Sequence, residues 1–227
     1  MTTTTVTRSD EEIQRDVLAE LDWDARVQPN EVGVAVQDGV VTLTGWVDSY
    51  AKKWAAERTA HRIRGVRAVA DDIEVRLPGA DERTDPDIGL AATRALEWDA
   101  FVPVETLDVT VSNGWVMLRG EVDWGYQRRA AERAVRRLFG VRGVTNLITV
   151  RPANRRGPDE VRKDIRNALV RSIEAETTRI EIDVDGDTVV LTGTVRSWLE
   201  RQEAERVAWS TPGVGAVTDR LTIEPPG

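Results

Sequence analysis

One histidine and no cysteine occur among the 227 residues of this chain, which narrows its chemistry at once. Without cysteine there is no disulfide framework, no thiolate zinc site and no thiol redox couple. His61 has no second histidine with which to share a metal, and no triad pattern surrounds it, so the sequence makes it a surface residue. Asp183, Asp185 and Asp187 around Gly186 faintly resemble the start of a calcium loop, but the EF-hand spacing and its bidentate glutamate are missing. Aspartate and glycine are also the ordinary residues of a tight turn, which is the expectation here. Neither a catalytic constellation nor a metal site nor a cofactor is implied.

Binding chemistry is better represented. Trp54, Arg58 and His61, then Arg129, Arg133 and Arg136, then Gln202, Arg206 and Trp209 recur at helical spacing, with Arg137 beside the second set. At ~100° per residue each set falls on the helix face opposite the small apolar residues. Such a stripe suits anionic lipid headgroups, each basic group contributing about 1 kcal/mol near the surface. It equally suits a solvated face whose arginines pair with Glu132 and its neighbours. Trp46, Trp115 and Met117 fall, by strand alternation, on a sheet face turned away from the helices. A sister module, another subunit or a ligand would cover that face. Trp23 and Trp98 close two helices in Leu-Asp-Trp-Asp-Ala and Leu-Glu-Trp-Asp-Ala, and are expected to pack over a core edge or between copies.

The elements that carry these residues are repeated. Gly39-Val40-Val41-Thr42-Leu43-Thr44-Gly45 returns as Gly114-Trp115-Val116-Met117-Leu118-Arg119-Gly120 and as Asp187-Thr188-Val189-Val190-Leu191-Thr192-Gly193. The same offsets carry Ala56-Glu57 onto Ala131-Glu132 and Ala204-Glu205, and Gly65-Val66 onto Gly140-Val141 and Gly213-Val214. In the third copy the hairpin glycine comes one place early, at Gly186, so that turn must be built differently.

Within a copy, Ile13, Val17 and Leu21 follow Ser9 at helical spacing, and Glu12 completes a capping box. Val34 and Val36, an Asp38-Gly39 turn, then Val41, Leu43 and Val47 predict a hairpin. Ala56, Ala60 and Ile63 predict a second helix ended by Gly65, and Ile73 and Val75 a last strand. The fold class is therefore α/β (α+β): three tandem αββαβ modules, each a three-stranded mixed sheet with two helices on one face and its second and third strands parallel. The boundaries read as a polar tail at 1–9 and modules at 10–77, 82–151 and 158–225. Modules of this size bury modest cores, so mutual packing of the copies is expected.

Charged residues form 31% and hydrophobic ones 41% of the chain, with a net charge of −8. That balance predicts a soluble protein with packed cores and argues against nucleic acid as a partner. Met1 to Asp10 is polar and threonine-rich, unlike a secretory signal, so the expected location is cytoplasmic, with peripheral membrane attachment allowed.

The combination Val-x-Val, Asp-Gly-Val-Val-Thr-Leu-Thr-Gly-x-Val, Ala-Glu and Gly-Val-x-x-Val-x-Asp resembles the BON domain, from about Asp10 to Glu224. The resemblance implies an αββαβ fold and a non-enzymatic, stress-related role, with anionic phospholipid or an envelope protein as partner. Potassium binding is a competing implication. From the residues themselves, lipid contact falls to Arg129, Arg133, Arg136, Arg137, Arg58 and Arg206. Self-association falls to Trp46, Trp115, Met117, Trp54 and Trp209.

Overall fold

The computed structural model describes residues 8–27, 31–79, 83–153, 156–172 and 180–224. They form two compact units, one drawn from Met1–Gly79, Val195–Arg201 and Ile223–Gly227, the other from Ala80–Thr194 and Gln202–Thr222.

The first module runs α1 (Asp10–Trp23), β1 (Val32–Gln37), β2 (Val40–Val47), α2 (Tyr50–His61) and β3 (Ala68–Val75). The second repeats this as α3 (Asp85–Trp98), β4 (Leu107–Ser112), β5 (Trp115–Val122), α4 (Gly125–Val135) and β6 (Gly143–Val150), with a 3-10 turn at Val104–Thr106. In the third, α5 (Pro158–Ser172), β7 (Ile180–Asp185), β8 (Thr188–Val195), α6 (Trp198–Ser210) and β9 (Ala216–Ile223) follow in the same order. Each sheet places its second strand centrally, antiparallel to the first. In the first two modules the third strand is parallel to the second, as a crossover through a helix requires.

The predicted stripes are the cores. Ile13, Val17 and Leu21 are buried with Val41, Leu43 and Val47. Ile88, Ala92 and Leu96 of α3, and Val161, Ile165 and Leu169 of α5, are buried in their turn. Each such large aliphatic stabilises its module by roughly 1.5–3 kcal/mol. The Ser9 and Glu12 capping box is formed, and Thr84 with Asp87 repeats it. One detail departs from expectation: α2 ends at His61 with Arg62 as its C-cap, and Gly65, at φ +98°, closes the turn three residues later. The positive φ of that turn demands glycine, and a Cβ there would stand 3.0 Å from Ile13 Cδ1 of α1.

The hairpin turns show why the third copy shifts its glycine. Asp38 and Gly39 (φ 52° and 76°), like Asn113 and Gly114 (51° and 77°), take the two positive φ values of a type I′ turn. In the third module only Gly186 (φ 62°), the first central residue, is positive, which is the type II′ signature. A helix residue moves with the turn. Asp10 accepts hydrogen bonds from the Asp38 and Gly39 N–H groups (2.8 and 2.9 Å), and Asp85 from those of Asn113 and Gly114 (2.8 Å each). At the corresponding place the third module has Pro158, which has no acceptor to offer but suits the first residue of a helix.

Candidate interaction surfaces

The second helices pack through their smallest residues. α2 buries Ala55, Ala56, Thr59 and Ala60, α4 buries Gly125, Ala130, Ala131 and Val135, and α6 buries Ala204, Val207 and Ala208. The stripe predicted to face outward is covered in part. In the first unit the His61 imidazole stacks on Trp198 at the start of α6, and its side chain is only 15% exposed. Its Nδ1 is buried without a hydrogen-bond partner among the described residues, and burial, aided by the Arg201 charge, pushes its pKa down to about 4. His61 is thus not the surface histidine expected, because helix phasing reveals a face but not the neighbour that covers it.

In the second unit Trp209 lies over Gly125, where a Cβ would stand 2.6 Å from the indole Cε3, and the Arg128 guanidinium lies 5.5 Å from the Trp209 ring centroid. Arg136 is 8% exposed, so that side chain does not face solvent as predicted. Arg58 is exposed but lies over Trp54, which is half-buried, at 5.0 Å; burial and the Arg62 and Arg26 charges depress its pKa. Arg206 makes two hydrogen bonds to Glu203 (2.7 and 2.6 Å), holding that carboxyl below its ordinary value.

What remains open at the C-terminal end of α4 is basic. Arg133 and Arg137 are exposed, and half-buried Arg129 has its pKa lowered by burial, with the Glu205 charge opposing and Arg206, Arg133 and Arg128 adding repulsion. Just past the helix, Phe139 is 70% exposed and Arg142 is exposed. Sequence reasoning missed Phe139. The available signal was an aromatic residue where the other copies carry Arg64 and Pro212.

On the sheet faces Trp46 and Trp115 are exposed and Met117 is half-buried, on the side away from the helices. Arg76 approaches the Trp46 ring (5.9 Å), and Trp115 Nε1 donates to Thr145 Oγ1 (2.8 Å). Asp183, Asp185 and Asp187 are all exposed, and among the described residues no group of three histidine, aspartate or glutamate side chains could hold a metal ion. Nor is any described helix long and apolar enough to cross a membrane.

Trp23 and Trp98 overturn the expectation that they pack, being 86% and 89% exposed. Each lies two residues, or about 200°, beyond the buried leucine that ends its helix stripe, Leu21 or Leu96, and therefore points away from the core.

The repeat geometry agrees with a family comparison in which the BON domain model matches residues 9–76, 84–152 and 159–225. The chain belongs to the BON domain family. Osmotically inducible protein Y of Escherichia coli (strain K12) is 30% identical to it over 128 residues, covering 53% of this chain and 62% of that protein. Among solved structures, CdsD, a structural protein of the type III secretion system of Chlamydia trachomatis, aligns over 95% of this chain and 93% of its own, at 14% identity and a TM-score of 0.26. Its C-terminal domain aligns over 96% and 100%, with the same identity and score. Likeness at that level carries no argument.

Proposed function

We propose that this chain is a non-enzymatic, stress-related binding protein that attaches peripherally to anionic phospholipid surfaces through its second module. The observation that carries this reading is Phe139, exposed just past the end of α4 in a stretch of chain that also exposes Arg133, Arg137 and Arg142. An aromatic ring that enters the headgroup layer while flanking guanidinium groups meet phosphate is the chemistry of interfacial attachment. Family membership and the similarity to an osmotically inducible protein are consistent with it. Of the arginines singled out in the sequence, Arg133 and Arg137 keep this role, Arg129 lines the patch, and Arg136, Arg58 and Arg206 serve within the protein.

Three arginines at about 1 kcal/mol each correspond to roughly a hundredfold in partitioning. Co-sedimentation with phosphatidylcholine vesicles, with and without phosphatidylglycerol, should therefore show binding only to the anionic set. Charge reversal of Arg133, Arg137 and Arg142 should abolish it, and Phe139→Ser should weaken it. Equal sedimentation of the wild type and the triple variant rules the proposal out.

A second reading rests on Trp46, Trp115 and Leu147, all exposed on bare sheet faces. These suit self-association, and light scattering of a Trp46→Ala, Trp115→Ala variant against the wild type distinguishes it.

A further inference from the structure

The turn after α1 in the first module holds an arginine on an aspartate. Asp24, the C-cap of α1, accepts two hydrogen bonds from the Arg26 guanidinium (2.8 and 2.5 Å) and one from Thr59 Oγ1 (3.2 Å), with Arg62 4.0 Å away. Those partners, Arg26 first, hold its carboxyl well below the usual carboxylate range.

The second module keeps the carboxylate and loses its hydrogen-bonding partners, with Arg137 at the position of Arg62. Asp99 is the C-cap of α3, but Phe101 stands at the position of Arg26 and Ala134 at that of Thr59. Asp99 Oδ1 accepts the Phe101 N–H (3.0 Å), and no cation lies within ion-pair distance of this carboxylate among the described residues. Around it stand aromatics. Trp98 precedes it at 89% exposure, and Phe101, 61% exposed, meets Tyr126 edge-on at 6.0 Å. Tyr126 in turn stacks with Trp124 at 6.2 Å. The other modules lack this set, having Arg26, Ser49 and Ala51, or Ser197 and Leu199, at the corresponding places.

The two chain segments that carry these side chains are acidic. Residues 97–105 and 121–126 carry Glu97, Asp99, Glu105, Glu121 and Asp123 and no lysine or arginine, and of these carboxylates Glu121 is taken by Arg151 (3.0 Å). Exposed aromatics on segments of this charge favour a cation with a long apolar stem. Guanidinium fits best, since it binds carboxylate through two parallel N–H groups and stacks on aromatic rings.

We propose that the turn after α3 is a docking site for an arginine-bearing segment of a partner polypeptide. The guanidinium takes on Asp99 the place that Arg26 holds on Asp24, and Trp98, Phe101 and Tyr126 cover its stem. Such docking does not depend on attachment to lipid.

The test is calorimetric titration of the full chain with nona-arginine and nona-lysine peptides. Nona-arginine should bind more tightly than nona-lysine, and Asp99→Asn should weaken it about tenfold or more. Phe101→Arg should do the same, by supplying internally an arginine arrangement with which the first module already folds. Glu181→Gln, an equal charge change at an exposed position of β7, should leave binding unaltered. Equal affinity for Phe101→Arg and wild type, or an equal loss in Glu181→Gln, reduces the interaction to bulk attraction and overturns the proposal. Absence of peptide binding overturns it too, whether accompanied by a dimer that Phe101→Arg dissociates or by binding to neutral vesicles.

Discussion

His61 and Trp198 stack with ring centroids 4.4 Å apart and planes inclined by 15°. The contact joins the end of α2 to the first residue of α6, and it excludes water from a group that titrates near neutrality in the unfolded chain. Burial first, and the Arg201 charge second, bring the His61 pKa from 6.5 to about 4. Between those values the unfolded chain binds more protons than the folded one, so stability rises with pH across the window. The contribution is complete above pH 6.5 and is lost as pH falls towards 4. Glu57, 3.9 Å from Nε2, has its carboxyl pKa raised by burial and by Asp71, against the opposing effect of Lys53, and so opposes the trend. The difference between proteins is therefore the measurement: urea midpoints taken from pH 7 to 4 should fall more steeply for wild type than for His61→Gln. Parallel curves would contradict the buried imidazole.

Gly125 begins α4 beneath Trp209, where an added Cβ would stand 2.6 Å from a ring carbon and 2.9 Å from the Trp209 carbonyl oxygen. The backbone atom cannot swing aside as a side chain can. Gly125→Ala should cost about 1–3 kcal/mol, the usual range for overpacking. Chemical denaturation checks this.

Gly120 is at φ +128°, and a Cβ there would collide with the Thr106 carbonyl oxygen. Both the dihedral and the contact forbid a side chain, so Gly120→Ala should destabilise by roughly 3 kcal/mol or more. Gly45, at φ +122° against the Glu31 carbonyl, should behave alike, whereas Gly157→Ala, in open space, should be close to neutral. Thermal melts of the three variants provide the comparison.

Asp85 satisfies two adjacent turn N–H groups at 2.8 Å each. Asp85→Ala should cost about 1–3 kcal/mol, because the donors lose their acceptor while the turn keeps its shape. Amide exchange at Asn113 and Gly114 should speed up in the same variant. Unchanged exchange would mean that the clasp does not hold the turn.

Trp98 is among the largest side chains and yet nearly fully exposed. Trp98→Ala should therefore shift stability by no more than about 0.5 kcal/mol. A loss several times larger would place the indole in a core.

Periodicity carried the architecture. Ile13, Val17 and Leu21, the alternating valines of the hairpins and the glycines of the turns are dictated by contacts within one module, at short range in sequence. The displaced Gly186 even foretold a different turn, and its partner signal, aspartate at 10 and 85 but proline at 158, was present in the same repeat. What phasing could not supply was the surroundings of the outer faces. His61, Arg136 and Trp209 lie on the same predicted outer face as exposed Arg58 and Arg133, about 60° round the helix, and packed neighbours separate the two groups.

Local repetition therefore determined by itself the triplicated αββαβ fold and its cores, because a module's interior is written in its own periods of 2 and 3.6 residues. Tertiary structure alone decided which polar and aromatic side chains remain available for binding. Trp98, Phe101 and Phe139 stay in water, while His61 and Arg136 do not. The reason is physical: exposure depends on what packs against a face, and in a repeat protein that partner comes from residues distant in the chain.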